Sequence, residues 1–220
     1  MASPLMPPPS NPENEREMAL IERIRCGEKE LFHELIRPYE RGLYMAAFAI
    51  LRSPADAEEA VQEALLKAFL HLAQLRSDEK FKGWLFLIAV NESRMRRRNA
   101  HGHLFESLET EAKKDDDGDF KPRQFADWRE IPSEIVETKE IRSAVLRALE
   151  NLPEKYREVF VLRDMQGLSV SETANILGVS TPAIKTQLHR ARLQMREQLA
   201  PLFGKRWIKR LPFLRGNKPW

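Results

Sequence analysis

Hydrophobic residues recur at the three- and four-residue spacing of a helix in every periodic segment of the chain, which predicts an all-α protein. The first segment runs from Glu28 to about Leu51, and Pro38 within it predicts either a kink or two consecutive helices. Ser53 and Pro54 then predict the start of the clearest helix, because serine caps helix N-termini and proline is tolerated in the first turn. Its apolar stripe consists of Ala57, Ala60, Val61, Ala64, Leu65, Ala68, Phe69 and Leu72.

Breaks in this periodicity divide the chain into two small domains. Residues 1–27 begin with a proline-rich segment, so we expect a flexible N-terminal tail. Residues 99–134 contain the acidic run Asp115–Asp119 and have little periodicity, which predicts a flexible acidic linker. We therefore expect helical domains at 28–98 and 135–200, followed by a basic tail at 201–220.

The segment from Leu168 to Arg196 has the pattern of two short helices joined by a tight turn. Ser169 and Glu172 have the S-x-x-E spacing of a capping box, in which both side chains bond to free backbone N–H groups. Gly178 is expected to end the first helix in a left-handed conformation. Ser180 can cap the second helix, whose buried stripe would be Ile184, Leu188, Ala191 and Met195. The pattern predicts a helix-turn-helix.

When the second helix is projected at about 100° of rotation per residue, the side opposite the buried stripe is polar and basic. The candidate base and phosphate contacts there are Pro182, Thr186, His189 and Arg190, with Lys185 and Arg192 on the flanks. A helical hairpin with a solvated basic face is the alternative. The capping box, the glycine turn and a cationic face without carboxylates together favour DNA binding.

Two features of the first domain allow both a structural and a functional interpretation. The helix that follows Pro54 carries an acidic face opposite its apolar stripe, which is either solvated or a docking surface for a basic partner; this face contains Asp56, Glu59, Gln62 and Glu63. Further on, Trp84 precedes a cationic run that includes Arg94 and Arg97. Aromatic rings and arginines together can hold a single nucleic-acid strand. Alternatively, Trp84 is a core residue and the arginines belong to an ordinary helix C-terminus, where the helix dipole favours cations. These residues alone slightly favour this structural interpretation.

Composition narrows the functional classes. The net charge of +3 is small for 220 residues, so the distribution of charge matters more than its total. Cys26 is the single cysteine and, with His101 and His103, gives no metal-ligand spacing. The apolar run Trp84–Val90 is too short to span a bilayer, so we expect an intracellular protein without membrane insertion. The sequence has no nucleophile–base set and no phosphate-binding glycine loop, so we expect neither enzymatic activity nor a cofactor.

The order of these parts resembles the extracytoplasmic-function sigma factors, a class of the bacterial sigma-70 family, over roughly Glu28 to Leu199. The resemblance rests on the acidic segment from Asp56 to Glu63, on the segment from Gly83 to Asn91, and on the segment from Leu152 through the helix-turn-helix. Each of these segments alone is weak evidence for the family, but the order and spacing of all of them make the resemblance strong. The resemblance implies a region-two domain and a region-four domain.

The resemblance also implies partners and roles. The first domain would bind the β′ subunit of core RNA polymerase and open the minus-ten element, and the β subunit and an anti-sigma factor are further candidate partners. Core contact would fall on Asp56, Glu59, Gln62 and Glu63. Contact with the minus-ten strand would fall on Leu75, Arg76, Trp84, Asn91, Arg94 and Arg97, with a flipped base held near Asn91. Minus-thirty-five contacts would fall on Ser180, Thr181, Lys185, Thr186, His189 and Arg190 of the second domain.

One departure from the family concerns the loop before Trp84. Members commonly carry an aromatic residue followed by Arg-Gly there, whereas this chain has Leu75, Arg76 and Ser77. Leu75 therefore offers no ring for stacking on the flipped base. The competing function is a free-standing transcriptional regulator whose N-terminal helices sense a signal or dimerise.

Overall fold

A computed structural model describes residues 12–75, 77–106 and 143–208, and all regular structure within these ranges is helical. Residues 12–106 are called the first module and residues 143–208 the second. The first module contains α1 (Pro12–Arg25), α2 (Phe32–Ile36), α3 (Glu40–Leu51), α4 (Pro54–His71) and α5 (Phe81–Glu106). The second contains α6 (143–150), α7 (Glu154–Phe160), α8 (Val170–Leu177) and α9 (Thr181–Ile208). Short 3₁₀ turns precede α2 and connect α4 to α5.

The core of the first module forms where α3, α4 and α5 pack together. Small buried residues along α4, among them Ala57, Ala64 and Ala68, allow the neighbouring helices to approach closely. As predicted, Ser53 caps α4 by accepting a hydrogen bond from the backbone N–H of Asp56 at 3.3 Å. The expected break at Pro38 is also present, because α2 ends at Ile36 and α3 begins at Glu40.

The N-terminal segment differs from the prediction of a flexible tail over residues 1–27. Residues 12–25 form α1, and Leu20, Ile21 and Ile24 are buried against the module. These three positions form an apolar stripe at helical spacing, and its burial stabilises the helix. The prolines that suggested flexibility lie mostly before residue 12, outside the described residues.

Helices continue past two other predicted boundaries. The linker was expected to begin at residue 99, but α5 extends to Glu106, and no proline interrupts the chain before Pro122. The C-terminal tail was expected to begin at residue 201, but α9 continues through Pro201 to Ile208. A proline inside a helix removes one hydrogen bond, and α9 tolerates that loss. Residues 107–134, the main part of the expected linker, lie outside the described residues.

The second module is organised around α7, which packs against α9. After Phe160 the helix widens into a π-helical turn at Val161–Met165, where the backbone N–H of Gln166 bonds to the carbonyl of Val161 at 3.0 Å. Such turns are rare and often occur at functional positions. In the part of the chain that the structure describes, no helix is long and apolar enough to cross a lipid bilayer.

Candidate nucleic-acid and partner interfaces

Residues 169–195 form the predicted helix-turn-helix. Ser169 Oγ accepts a hydrogen bond from the backbone N–H of Glu172 at 3.1 Å, and Glu172 Oε2 accepts one from the backbone N–H of Ser169 at 2.7 Å, which completes the capping box. Gly178 ends α8 with φ of 70°, a left-handed conformation that favours glycine. The predicted inner stripe of α9 is fully buried; it contains Ile184, Leu188, Ala191 and Met195. This packing fixes which face of α9 points outward.

The outward face of α9 carries nearly all of the predicted DNA contacts. The exposed residues are Ser180, Thr181, Pro182, Lys185, Thr186, His189 and Arg190. Arg190 donates a hydrogen bond to the Tyr156 hydroxyl at 3.2 Å, and this bond lowers the pKa of Tyr156. Tyr156 is buried in the module, so its hydroxyl is held in place and orients the guanidinium of Arg190.

Arg192, predicted on the flank of this face, is only partly exposed. Its guanidinium makes two hydrogen bonds of 2.7 Å to the carboxylate of Asp164, whose side chain is only 3% exposed. A bidentate pair of this kind ties α9 to the π-helical turn. The prediction placed Arg192 among the DNA contacts, and in the structure the Nε and Nη2 edge of its guanidinium is paired with Asp164.

The acidic face of α4 is present and is only partly occupied by neighbours. Arg96 of α5 bonds to Asp56 at 2.9 Å and also contacts Glu59, and the Arg96 bond lowers the pKa of Asp56. Gln62 and Glu63 are exposed next to these pairs. Leu66 and Leu70 lie on the same helix with 52% and 63% of their surface exposed, although both are large and apolar. Exposed leucines beside carboxylates are typical of a protein-binding surface.

The predicted minus-ten residues do not all lie on one surface. Arg76 lies outside the described residues. The side chain of Leu75 is half-buried against the core, and its carbonyl accepts a hydrogen bond of 2.7 Å from Arg25 of α1. Trp84 is also partly buried, with its ring centroid 6.1 Å from that of Phe81. Asn91 is exposed two turns further along α5 and therefore shares a face with Trp84.

Arg94 and Arg97 of α5 are turned toward the second module. Arg94 pairs with Glu158 at 2.8 Å and donates a second bond to the carbonyl of Leu177 at 3.3 Å, while Arg97 pairs with Glu154. Burial raises the pKa of Glu158, and the nearby guanidinium of Arg94 opposes that shift. Both arginines therefore contact carboxylates of α7.

The contact between the modules continues along α3 and α5. Arg157 is 6% exposed and donates to the carbonyl of Ala49 at 2.7 Å, near the C-terminus of α3. Lys82 of α5 donates to the carbonyl of Gln166 at 2.5 Å. At Gly42 the approach is so close that a Cβ atom would lie 2.2 Å from Oε1 of Gln166. The two modules thus form one packed unit.

Comparison with known protein families matches both modules. The model described as Sigma-70 region 2 matches residues 35–102, and the model described as Sigma-70, region 4 matches residues 142–195. Together they match more than half of the chain, in the order and on the modules just described. The chain belongs to the sigma-70 family. The first module is its region-two domain and the second its region-four domain, and the second match contains the helix-turn-helix.

Full-length relatives support the same assignment. The chain is 28% identical to the ECF RNA polymerase sigma factor SigW of Bacillus subtilis over 182 residues, which cover 83% of this chain and 96% of SigW. It is also 28% identical to the ECF RNA polymerase sigma-E factor of Escherichia coli K12 over 190 residues, with 84% and 95% covered.

Solved structures show that the fold is shared. CnrH, solved in complex with the cytosolic domain of CnrY, is 23% identical with a TM-score of 0.54, covering 84% of this chain and 97% of that one. The sigma factor RpoE of Bartonella quintana, solved with the anti-sigma factor NepR, is also 23% identical with a TM-score of 0.57, covering 76% and 96%.

Sequence reasoning missed the residues that join the region-two and region-four domains. Arg157 was not among the predicted sites, although Arg157 and Glu158 lie between Tyr156 and the apolar run Val159–Leu162. That run covers more than one face of a helix, which indicates burial on two sides. Five consecutive residues, Tyr156–Phe160, are in fact buried. The apolar run thus indicated that this helix is buried, but it did not show that Arg157 bonds to the carbonyl of Ala49.

Proposed function

We propose that this chain is a cytoplasmic sigma factor of the extracytoplasmic-function class, which binds core RNA polymerase and directs initiation at particular promoters. It has no chemistry of its own in this role. The observation that carries the proposal is the presence, in one chain, of a region-two domain with an acidic docking helix and a region-four domain with an exposed recognition face.

Core polymerase would bind the acidic face of α4 and the exposed leucines beside it. The carboxylates would attract a basic partner surface, and burial of Leu66 and Leu70 would contribute about 25 cal/mol for each Å² of apolar area removed from water. Arg96 would then have to share Asp56 and Glu59 with the partner, or release them.

Promoter DNA would contact both domains. The outward face of α9 would enter the major groove at the minus-thirty-five element, where Arg190 and Lys185 can bond to guanine or phosphate and Thr186 and His189 to other base edges. In region two, Asn91 can donate and accept hydrogen bonds toward a flipped base, and Trp84, Arg94 and Arg97 would follow the single strand, with Leu75 and Arg76 in the preceding loop.

An anti-sigma factor is a further proposed partner. Two related folds have been solved in complexes with CnrY and with the anti-sigma factor NepR, respectively. Such a partner would inhibit this chain by covering the α4 face or the recognition helix.

A run-off transcription assay with core enzyme and genomic fragments tests the proposed function. Core enzyme together with the chain should give discrete transcripts that neither component gives alone. A chain that binds the same promoters and changes transcription only when a complete holoenzyme is already present would instead be a free-standing regulator.

A further inference from the structure

Two arginines of α9, Arg190 and Arg192, differ in the kind of acceptor that they bind. Arg192 gives its Nε and Nη2 edge to the carboxylate of Asp164, and this ion pair neutralises its charge. Arg190 donates through Nη1 to the hydroxyl of Tyr156 at 3.2 Å, and a neutral hydroxyl leaves the charge of the guanidinium intact. Arg190 is therefore held by its partner without being neutralised.

The contact with Tyr156 leaves two donors of Arg190 available for a base. A guanidinium binds guanine through two parallel N–H groups that point at O6 and N7. Because Tyr156 receives Nη1, the Nε and Nη2 edge has no acceptor in the part of the chain that the structure describes, and no carboxylate there pairs with Arg190. Arg190 therefore presents a two-donor edge on the exposed face of α9.

Tyr156 is itself held firmly within region four. It lies on α7, which packs against α9, and only 7% of its surface is exposed. The ammonium of Lys155 lies over its ring, 5.2 Å from the ring centre, at a cation–π distance. A tyrosine side chain has only two torsions, and burial restricts both. The hydroxyl therefore keeps one position relative to α9.

A fixed acceptor matters for Arg190 because its side chain is long and exposed. An exposed arginine samples many rotamers, and this freedom is lost when the arginine binds a base. Only some of these rotamers direct the two-donor edge into a groove of the DNA. A hydrogen bond formed before DNA binds selects among the rotamers and reduces the entropy that binding removes. The contact with Tyr156 can therefore affect base recognition although it does not touch the DNA.

We propose that Tyr156 is a positioning residue for recognition of the minus-thirty-five element: its hydroxyl fixes the guanidinium of Arg190 so that the Nε and Nη2 edge points toward one guanine. The proposal rests on the proposed function, because it takes the outward face of α9 as the base-reading surface. Promoter choice then depends on a residue of α7, outside the helix-turn-helix, that contacts no base itself.

The test compares Tyr156→Phe with Arg190→Ala and with the double variant. Tyr156→Phe removes one oxygen atom and keeps the buried ring. Tyr39→Phe is the matched control, because it also removes a hydrogen-bonded hydroxyl, whose partner is Glu17 in region two. Holoenzyme assembled from core RNA polymerase and each full-length chain is titrated on promoters that carry every single-base change in the minus-thirty-five element. Discrimination at a position is the ratio of the affinities for the two bases compared there.

Tyr156→Phe should lower discrimination about threefold to tenfold, the range of a single hydrogen bond, at the position where Arg190→Ala acts. Other positions, and the Tyr39→Phe control, should behave as the wild type does. In the Arg190→Ala background, Tyr156→Phe should have no further effect. A purely structural hydroxyl would instead weaken binding to all promoter variants alike and lower the melting temperature measured by circular dichroism. That outcome, wild-type discrimination by Tyr156→Phe, or no effect of Arg190→Ala at any position overturns the proposal.

A second measurement needs neither DNA nor polymerase. NMR relaxation of the Arg190 Nε in the free full-length chain should report restricted motion in the wild type and motion of larger amplitude in Tyr156→Phe. Equal motion in the two chains overturns the positioning role, even if the wild type initiates transcription with core enzyme. A wild-type chain that gives no core-dependent transcripts overturns the sigma-factor assignment, whatever the relaxation shows. The two failures are therefore distinguishable.

Discussion

Arg190 is the side chain for which reading a base and holding a phosphate can be separated most clearly. If it bonds to a base edge, Arg190→Ala should reduce discrimination at one minus-thirty-five position by about 1–3 kcal/mol. If it contacts only phosphate, all sequences should weaken alike. Binding to a panel of single-base variants of that element distinguishes the two, with Arg196→Ala on the same helix as control. No effect on any sequence would mean that the recognition face of α9 is misplaced.

Asn91 tests the region-two surface in the same way. Its amide is exposed on α5, and its loss should remove hydrogen bonds to one flipped base without affecting the helix. Asn91→Ala holoenzyme should therefore lose preference at one minus-ten position while binding core normally. Permanganate reactivity of unpaired thymines on supercoiled templates measures opening directly, with Asn99→Ala as the control. Wild-type preference at every position would show that this segment is structural.

Single residues differ in how well the sequence reveals their roles. The capping box of Ser169 and the turn at Gly178 are local, since their partners lie within a few positions, and both were predicted correctly. The partner of Arg192 is Asp164, 28 positions away, and that of Arg157 is Ala49, 108 positions away. Helical spacing places a side chain on a face but contains no information about what the face meets. The sequence therefore predicted the outward face of α9 but not which cations are already paired.

The α4 helix carries the proposed core-polymerase contact as a whole face. Glu59→Lys with Glu63→Lys reverses two exposed charges off the buried stripe, so the helix should fold while affinity for core enzyme falls. The matched reversal at Glu22 and Glu30 should leave binding unchanged. Pull-down with core enzyme measures the effect, and circular dichroism verifies folding. Unchanged affinity of a folded variant would mean that this face is merely solvated.

Helix boundaries were less predictable than the helices themselves. The stripes of α4 and α9 repeat over several turns, and each repetition adds to the signal. In α1 the stripe is short and follows several prolines, so the sequence pattern did not indicate that Leu20, Ile21 and Ile24 are buried. The N-terminal segment is stabilised by tertiary contact, which local sequence does not record.

Because the two domains pack together, the fragments that proteolysis produces are expected to stay associated. Cleavage is expected within residues 107–134, where the sequence is polar and acidic. The two fragments should nevertheless co-elute in size-exclusion chromatography at low salt, because Arg157 and the pairs of Arg94 and Arg97 cross the interface. The interface variant Glu154→Gln with Glu158→Gln should weaken that association. Fragments that separate freely in the wild type would contradict the packed unit.

The dependence of promoter recognition on core RNA polymerase tests the central claim most directly. DNase footprinting of a promoter found by run-off transcription is performed with the chain alone, with core enzyme alone and with both together. The account predicts protection across both the minus-ten and minus-thirty-five elements, with strand opening, only when both are present. Equal protection of both elements by the chain alone would contradict it.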